Sequence, residues 1–396
     1  MRISSRARNI SPSATLSVDA LAKSMIKAGH NVIGFGAGEP DFDTPQHIRE
    51  AAVAALDRGY TRYTPAGGTL ELKEAVCARL EEDYQVKYEP DQVIISCGAK
   101  HSLYNLFQVI CDQGDEVILM APYWVSYLEQ IKLAGAVPVV VAPRDHTLKP
   151  SLEDIEAAIT SRTRAIIVNS PSNPSGIVLD RDFLVAVGEL ALKHDLLVIS
   201  DEIYDKLIYG TAKHVSFPTL GDELKARTVL INGVSKTYAM TGWRIGWAVG
   251  PVEIIKAMVN LQSHSTSNPT SIAQYAAVVA LTGPQAPVEQ MRKEFSRRRD
   301  FMLEKLNQLP GVSCQMPEGA FYAFPNIGGL FGKSFNGTVI DSSETFAKYL
   351  LQEVKVAVVP GIAFGANEYV RLSYCLSMDK LAEGLERIHQ FILKLT

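Results

Sequence analysis

Thr228-Val229-Leu230-Ile231-Asn232-Gly233-Val234-Ser235-Lys236-Thr237-Tyr238-Ala239-Met240-Thr241-Gly242-Trp243-Arg244 is the stretch on which the reading of the chain turns. The apolar run Val229 to Ile231 predicts a buried strand. Asn232-Gly233 predicts a turn that ends it. Lys236 follows at once. A lysine just past a buried strand can lose proton affinity through burial and serve as a nucleophilic amine. The plainer alternative is a surface lysine after a loop. Arg244 lies one glycine-bearing loop further on, and its planar fork matches phosphate oxygens. An amine beside a phosphate clamp has a specific chemical meaning only if the rest of the chain supplies the companions.

The composition leaves room for that chemistry. The chain has 396 residues, 47% hydrophobic and 21% charged, with a formal net charge of -4. These values fit an ordinary globular protein of about two or three domains. No basic excess points to nucleic acid or to an anionic membrane. Cys77, Cys97, Cys111, Cys314 and Cys375 are dispersed without a CxxC pair, so neither a disulfide framework nor a metal site is expected. The start, Met1 to Arg8, has charge but no apolar segment behind it, so no secretory signal is expected. No run of about 18 apolar residues predicts a membrane span. A cytoplasmic location is the expectation that follows.

Outward from Lys236, apolar β runs alternate with helical patterns. Val93 to Ser96, Glu116 to Met120, Val137 to Val141, Arg164 to Asn169 and Leu196 to Ser200 read as strands. Pro45 to Arg58, Ser151 to Ile159 and Arg181 to Lys193 read as helices. This alternation predicts an α/β fold with a mostly parallel sheet, whose ligands lie beyond the carboxyl ends of the strands. Those ends are chemically loaded. Cys97-Gly98-Ala99-Lys100 leads from a strand into a helix, which makes an anion site from free N–H groups and the helix dipole. Trp124 follows another strand and can stack on a flat ring. Asn173 and then Asp201-Glu202-Ile203-Tyr204 follow the next two. Pyridoxal phosphate needs a carboxylate at its ring nitrogen, and Asp201 fits. It needs hydrogen-bond donors at its ring oxygen, and Asn173 and Tyr204 fit. Lys236 supplies the amine for a Schiff base.

Two glycine loops imitate nucleotide sites and fail on spacing. Gly34-Phe35-Gly36-Ala37-Gly38 has its third glycine one place early and runs into Glu39-Pro40. Ile327 stands where the first glycine of a P-loop belongs, so 327–334 is expected to be a flexible loop. A helix from Ile254 is expected to lead toward a second domain, and Thr282 to Pro287 marks the boundary. Arg297-Arg298-Arg299 is expected on a solvated helix face. Val356 to Gly361 and Tyr369 to Tyr374 are expected strands. Arg371, inside the latter, must meet either a structural carboxylate or a substrate carboxylate.

With these residues in hand, the chain resembles the class I aminotransferases of PLP fold type I, in particular the bacterial-type aspartate aminotransferases of subgroup I-beta. The resemblance runs from Gly36-Ala37-Gly38-Glu39-Pro40-Asp41-Phe42 to Arg371-Leu372-Ser373-Tyr374. It implies a large domain with a mostly parallel seven-stranded sheet flanked by helices, plus a smaller α+β domain. Residues 1–45 would form an N-terminal arm and part of the small domain, 46–286 the large domain and 287–396 the small C-terminal domain. Lys236 would hold the cofactor and move the substrate proton, and Asp201 would pair with the ring nitrogen. Asn173 and Tyr204 would bind the ring oxygen, and Trp124 would stack on the ring. Gly98, Ala99, Ser235 and Arg244 would hold the phosphate. Arg371 would clamp the substrate's α-carboxylate beside Gly38 and Asn173, and Lys100 its distal carboxylate. Tyr63 would reach the phosphate of a neighbouring subunit in a homodimer with shared active sites. Gly233 departs from the pattern, since many relatives carry a phosphate-binding serine there. The implied reaction passes an amino group from L-aspartate to 2-oxoglutarate. A prephenate or aromatic aminotransferase is the alternative, and a carbon–sulfur lyase a more distant one.

Overall fold

The computed structural model describes residues 2–145 and 147–396; of the N-terminal segment read above, only Met1 lies outside them. Seven strands form the central sheet: β1 (Val93–Ser96), β2 (Glu116–Met120), β3 (Val137–Val141), β4 (Thr163–Asn169), β5 (Leu197–Asp201), β6 (Thr228–Gly233) and β7 (Gly246–Val249). Their order is β1-β7-β6-β5-β4-β2-β3. Only β7 runs against the others, pairing antiparallel with both β1 and β6. The remaining neighbours pair in parallel.

Alternate residues of each strand enter cores on opposite faces of the sheet, as the two-residue repeat requires. Val93 and Ile95 pack with the helices Leu70–Tyr84 and Ser271–Thr282. Ile94 between them packs with the helices Ala99–Ile110 and Val125–Leu133. The same alternation puts Val117 and Leu119 on that second face and Ile118 against the helix Arg181–Lys193. With helices on both sides, the strands are apolar almost throughout. Each fully buried Ile or Val contributes about 1.5–3 kcal/mol.

A second cluster of elements builds its own core. Tyr322–Ala323, Val359–Pro360 and Val370–Ser373 form a three-stranded antiparallel sheet. Ile33–Gly34 pairs in parallel with Val356–Ala357. The helices Ser343–Val354 and Met378–Ile392 cover them.

Four expectations need correction. Asn232-Gly233 does not end its strand: β6 continues through Gly233, because Asn232 and Gly233 pair with Trp247 and Gly246 of β7. The helix Val252–Ser263 packs on β1 and the helix Ala99–Ile110 rather than leading away from the sheet. The 21-residue helix Ala286–Leu306 makes the crossing instead, with Val288 in the sheet-side core and Phe295, Met302 and Leu306 in the other. Of the arginine triplet on it, only Arg297 is solvated. Arg298 and Arg299 are 7% and 8% exposed; Arg298 pairs with Asp41 and Glu294, and Arg299 donates to the Pro317 carbonyl. Finally, 327–334 is not a free loop. It holds a 3-10 turn, Gly328–Leu330, with Leu330 buried in the core.

Candidate active site

The carboxyl ends of β4, β5 and β6 open onto a cavity of about 400 Å³, of the size that holds a small ligand. Register sets Asp201 between Asn169 of β4 and Ile231 of β6. Lys236 lies on the short helix Val234–Thr237 that follows β6, and its Nζ donates to the Gly38 carbonyl. Burial lowers its pKa from 10.5 to about 8, so a useful fraction of the amine is neutral and nucleophilic at neutral pH.

Asp201 is the buried carboxylate of the cavity. Its Oδ2 accepts from the Tyr127 hydroxyl at 2.5 Å and its Oδ1 from the Ile203 N–H at 3.2 Å. Burial raises its pKa to about 6 against the pull of those donors. A carboxylate so placed is stabilised by a cationic partner such as a protonated ring nitrogen. Asn169 donates to the Asp201 backbone carbonyl and accepts from the Asn173 N–H, which ties the two strand ends together. The Tyr204 and Tyr322 hydroxyls meet at 2.9 Å.

An anion cradle lies at the start of the helix Ala99–Ile110. No side chain caps that helix, so its first N–H groups are open toward the cavity. Gly98 has φ +89°, and Arg244 lies where any Cβ of residue 98 would be, so glycine is required twice over. Arg244 Nη1 is held by the Thr241 carbonyl at 2.7 Å and Nη2 by the Cys97 carbonyl at 3.2 Å. Ser235 also lines the cavity. Gly233 has a structural cause: a Cβ there would stand 2.8 Å from Gly246 Cα, so the antiparallel β6–β7 contact leaves no room for serine.

Arg371 is 2% exposed. Its Nη1 donates to Asn173 Oδ1 and its Nη2 to the Gly36 carbonyl, both at 2.9 Å. Its guanidinium lies 4.3 Å from the Tyr322 ring centre, and its Nε is buried without a hydrogen-bond partner. Among the described residues no carboxylate pairs with Arg371, Lys100 or Arg244. Lys100 Nζ stands 4.9 Å from the Trp124 ring centre, its pKa lowered by the surrounding protein and by Arg244. Lys100 and Arg244 are exposed at the cavity, but Arg371 is a buried cation without a counter-ion, which is costly, so the site is built for an anionic ligand.

Gly38, Ala99, Lys100, Trp124, Asn173, Asp201, Tyr204, Ser235, Lys236, Arg244 and Arg371 thus meet in one cavity. Gly98 stands behind it against Arg244. Tyr63 does not line it: the residue is 91% exposed, in a surface depression shared with Thr266, Ser267, Asn268, Thr270, Ser271 and Ile272. Sequence reasoning passed over Tyr127, Asn169 and Tyr322, and also Thr15, Asp19 and Lys23 of the helix Ala14–Lys27. Tyr127 was detectable in principle, three places after Trp124 and so on nearly the same helix face.

The donor set fits pyridoxal phosphate on the structure's own terms. There is a depressed lysine, a buried carboxylate, a phosphate cradle that admits no Cβ at Gly98, and an aromatic wall at Trp124. The comparisons with known proteins agree. The family model for aminotransferase class I and II matches residues 30–388. An aspartate aminotransferase of Geobacillus stearothermophilus is 54% identical over 99% of both chains. One of Bacillus subtilis (strain 168) is 52% identical over the whole of both. The crystal structure of the aspartate aminotransferase from Rhizobium meliloti superposes with a TM-score of 0.96 at 43% identity, each chain fully covered. The chain belongs to the class I and II aminotransferase family.

Proposed function

We propose that the protein transfers the amino group of L-aspartate to 2-oxoglutarate, giving oxaloacetate and L-glutamate, with pyridoxal phosphate held at Lys236. The observation that carries this is Arg371. It is a fully buried guanidinium that pairs with no carboxylate among the described residues and has an unpartnered Nε, and it shares a cavity with Lys236. Bound pyridoxal phosphate supplies an electron-withdrawing ring that makes the substrate's Cα–H acidic.

The chain's own residues do the remainder. Arg371 orients the α-carboxylate through its fork, itself fixed by Asn173 and Gly36. Lys100 meets the distal carboxylate and so favours dicarboxylic substrates. Asp201 holds a negative charge toward the ring nitrogen, steadied by Tyr127. Tyr204 and Asn173 bind the ring oxygen, and Trp124 covers the ring face. Gly98, Ala99, Ser235 and Arg244 hold the phosphate. The neutral Lys236 amine would be the base that takes the substrate's Cα proton and later gives it up again. The exposed Tyr63 supports a homodimer in which it completes the partner's phosphate site. On this reading residues 1–45 form an N-terminal arm and part of the small domain that 287–396 makes up, supported by the shared core of Phe35 with Val356, Leu372 and Leu385.

Steady-state rates with both substrates varied test the reaction. Oxaloacetate formation that needs 2-oxoglutarate and gives parallel double-reciprocal lines supports it. No oxaloacetate from the pyridoxal-phosphate-loaded protein refutes it.

A further inference from the structure

The strand Tyr322–Ala323 pairs antiparallel with Val370–Ser373, and Tyr322 stands opposite Ser373. Residues directly opposite share a face of the sheet, as do residues two apart on one strand. Tyr322 and Arg371 therefore lie diagonally on one face. Tyr322 is 1% exposed, and its ring centre is 4.3 Å from the Arg371 guanidinium. A Cβ on Gly38 would stand 3.1 Å from the Tyr322 hydroxyl, so the glycine leaves the phenol its place at the cavity. Among the described residues that hydroxyl makes one hydrogen bond, at 2.9 Å to the hydroxyl of Tyr204 in the turn after β5. The two rings meet edge-on, 5.9 Å apart.

Two hydroxyls that share one bond have a direction. Each phenol carries a single proton, and the donor has spent it. Tyr204 can therefore donate to a ligand in the cavity only while it accepts from Tyr322. Arg371 sets that direction. A cation against an aromatic face draws on the ring's electrons, which makes the ring's hydroxyl the stronger donor. The other titratable groups facing the pair do not oppose this: Asp201 acts on Tyr204, Cys375 acts on Tyr322, and Lys236 lines the same cavity. Burial raises the proton affinity of both hydroxyls, but Arg371 holds Tyr322 at about 12. Tyr204, beside Asp201, stands well above 10.

We propose that Tyr322 is a positioning residue for Tyr204: its hydroxyl donates to the Tyr204 oxygen, so that the one Tyr204 proton points at the ring oxygen of pyridoxal phosphate. The proposal rests on the cofactor reading above. It gives the Tyr322 hydroxyl a purpose beyond packing, because phenylalanine would fill the same space beneath Arg371. It also ties the carboxylate clamp to the cofactor's ring oxygen through two contacts, one cation–ring and one hydroxyl–hydroxyl.

The test is a pH titration of the visible absorbance of the protein loaded with pyridoxal phosphate. A donor to the ring oxygen favours its negative charge, so a weakened donor moves the pH midpoint of the band upward. Tyr204→Phe is expected to raise the midpoint by about one pH unit or more, the equivalent of a hydrogen bond to a charged group. Tyr322→Phe is expected to raise it by about 0.4–1 pH unit, the equivalent of one neutral hydrogen bond. In the double variant the midpoint is expected within about 0.2 pH unit of Tyr204→Phe alone, because Tyr322 acts only through Tyr204; two independent losses would add. A parent with no visible band overturns the cofactor reading and this proposal with it. A midpoint unmoved by Tyr204→Phe overturns the ring-oxygen contact on which the proposal depends. A midpoint moved by Tyr204→Phe but not by Tyr322→Phe, or fully additive in the double variant, overturns the proposal alone. Should Tyr322→Phe fail to fold, replacement of Tyr322 by 3-fluorotyrosine, a stronger donor of nearly the same size, decides: the midpoint is expected to fall, and one unchanged or raised overturns the proposal.

Discussion

Replacing Arg371 with lysine keeps one positive charge at the floor of the cavity and removes the fork. In the parent, Nη1 and Nη2 each spend a bond on a neutral acceptor, Asn173 Oδ1 and the Gly36 carbonyl, at 2.9 Å. That leaves Nε and the outer N–H groups for a carboxylate, held in one plane over the Tyr322 ring. A lysine ammonium has three donors and no plane, and two of them are claimed by the same acceptors. At least one charge-assisted bond to the substrate is lost, worth about 1.5–3 kcal/mol, together with part of the bidentate orientation. The sum of about 2–4 kcal/mol corresponds to a fall of about 30- to 1,000-fold in kcat/KM for L-aspartate. The assay is the single-turnover reaction of the loaded enzyme with L-aspartate, watched in the visible spectrum. Cofactor affinity is measured alongside and is expected to hold, because Arg371 lies apart from the phosphate cradle. A variant with an intact cofactor band and kcat/KM within threefold of the parent would falsify the carboxylate role of Arg371.

Lys100→Ala is expected to lower kcat/KM about tenfold or more for L-aspartate and much less for L-phenylalanine, since only the first brings a second carboxylate; equal losses on both refute the distal contact. Gly98→Ala drives a methyl group into the Arg244 guanidinium at a φ of +89°. Its Kd for pyridoxal phosphate should rise about tenfold or more, and an unchanged Kd in a titration speaks against the cradle. With Lys236 at about 8 in the cofactor-free protein, the neutral amine fraction is about half at pH 8 and levels off above about pH 9. The rate of pyridoxal phosphate capture should follow that curve; a rate still climbing tenfold per unit at pH 10 contradicts it. The same shift makes stability rise with pH between about 8 and 10.5, because there the unfolded lysine binds protons that the folded one has released.

Much of this molecule is legible in its sequence because two-residue and helical periodicities are local. Val93 to Ser96 and Glu116 to Met120 are strands with those bounds in the structure. The chemistry at the strand ends is legible too, since Asp201 and Lys236 each directly follow an apolar run. What stayed hidden depends on distant partners. Asn232-Gly233 reads as a turn until β7 is seen pairing across it. Arg298 reads as solvated until Asp41, 257 positions away, is seen to reach it. Tyr322 joins the cavity only because its strand pairs with that of Arg371. The missing serine at Gly233 is likewise decided by Gly246, a contact that no local pattern records.

The most direct test of the account is the visible absorbance of the protein loaded with pyridoxal phosphate, before and after L-aspartate alone. The account predicts a yellow band that depends on Lys236 and that aspartate converts to the colourless amine form of the cofactor. A chain that forms no band with added pyridoxal phosphate contradicts the central claim.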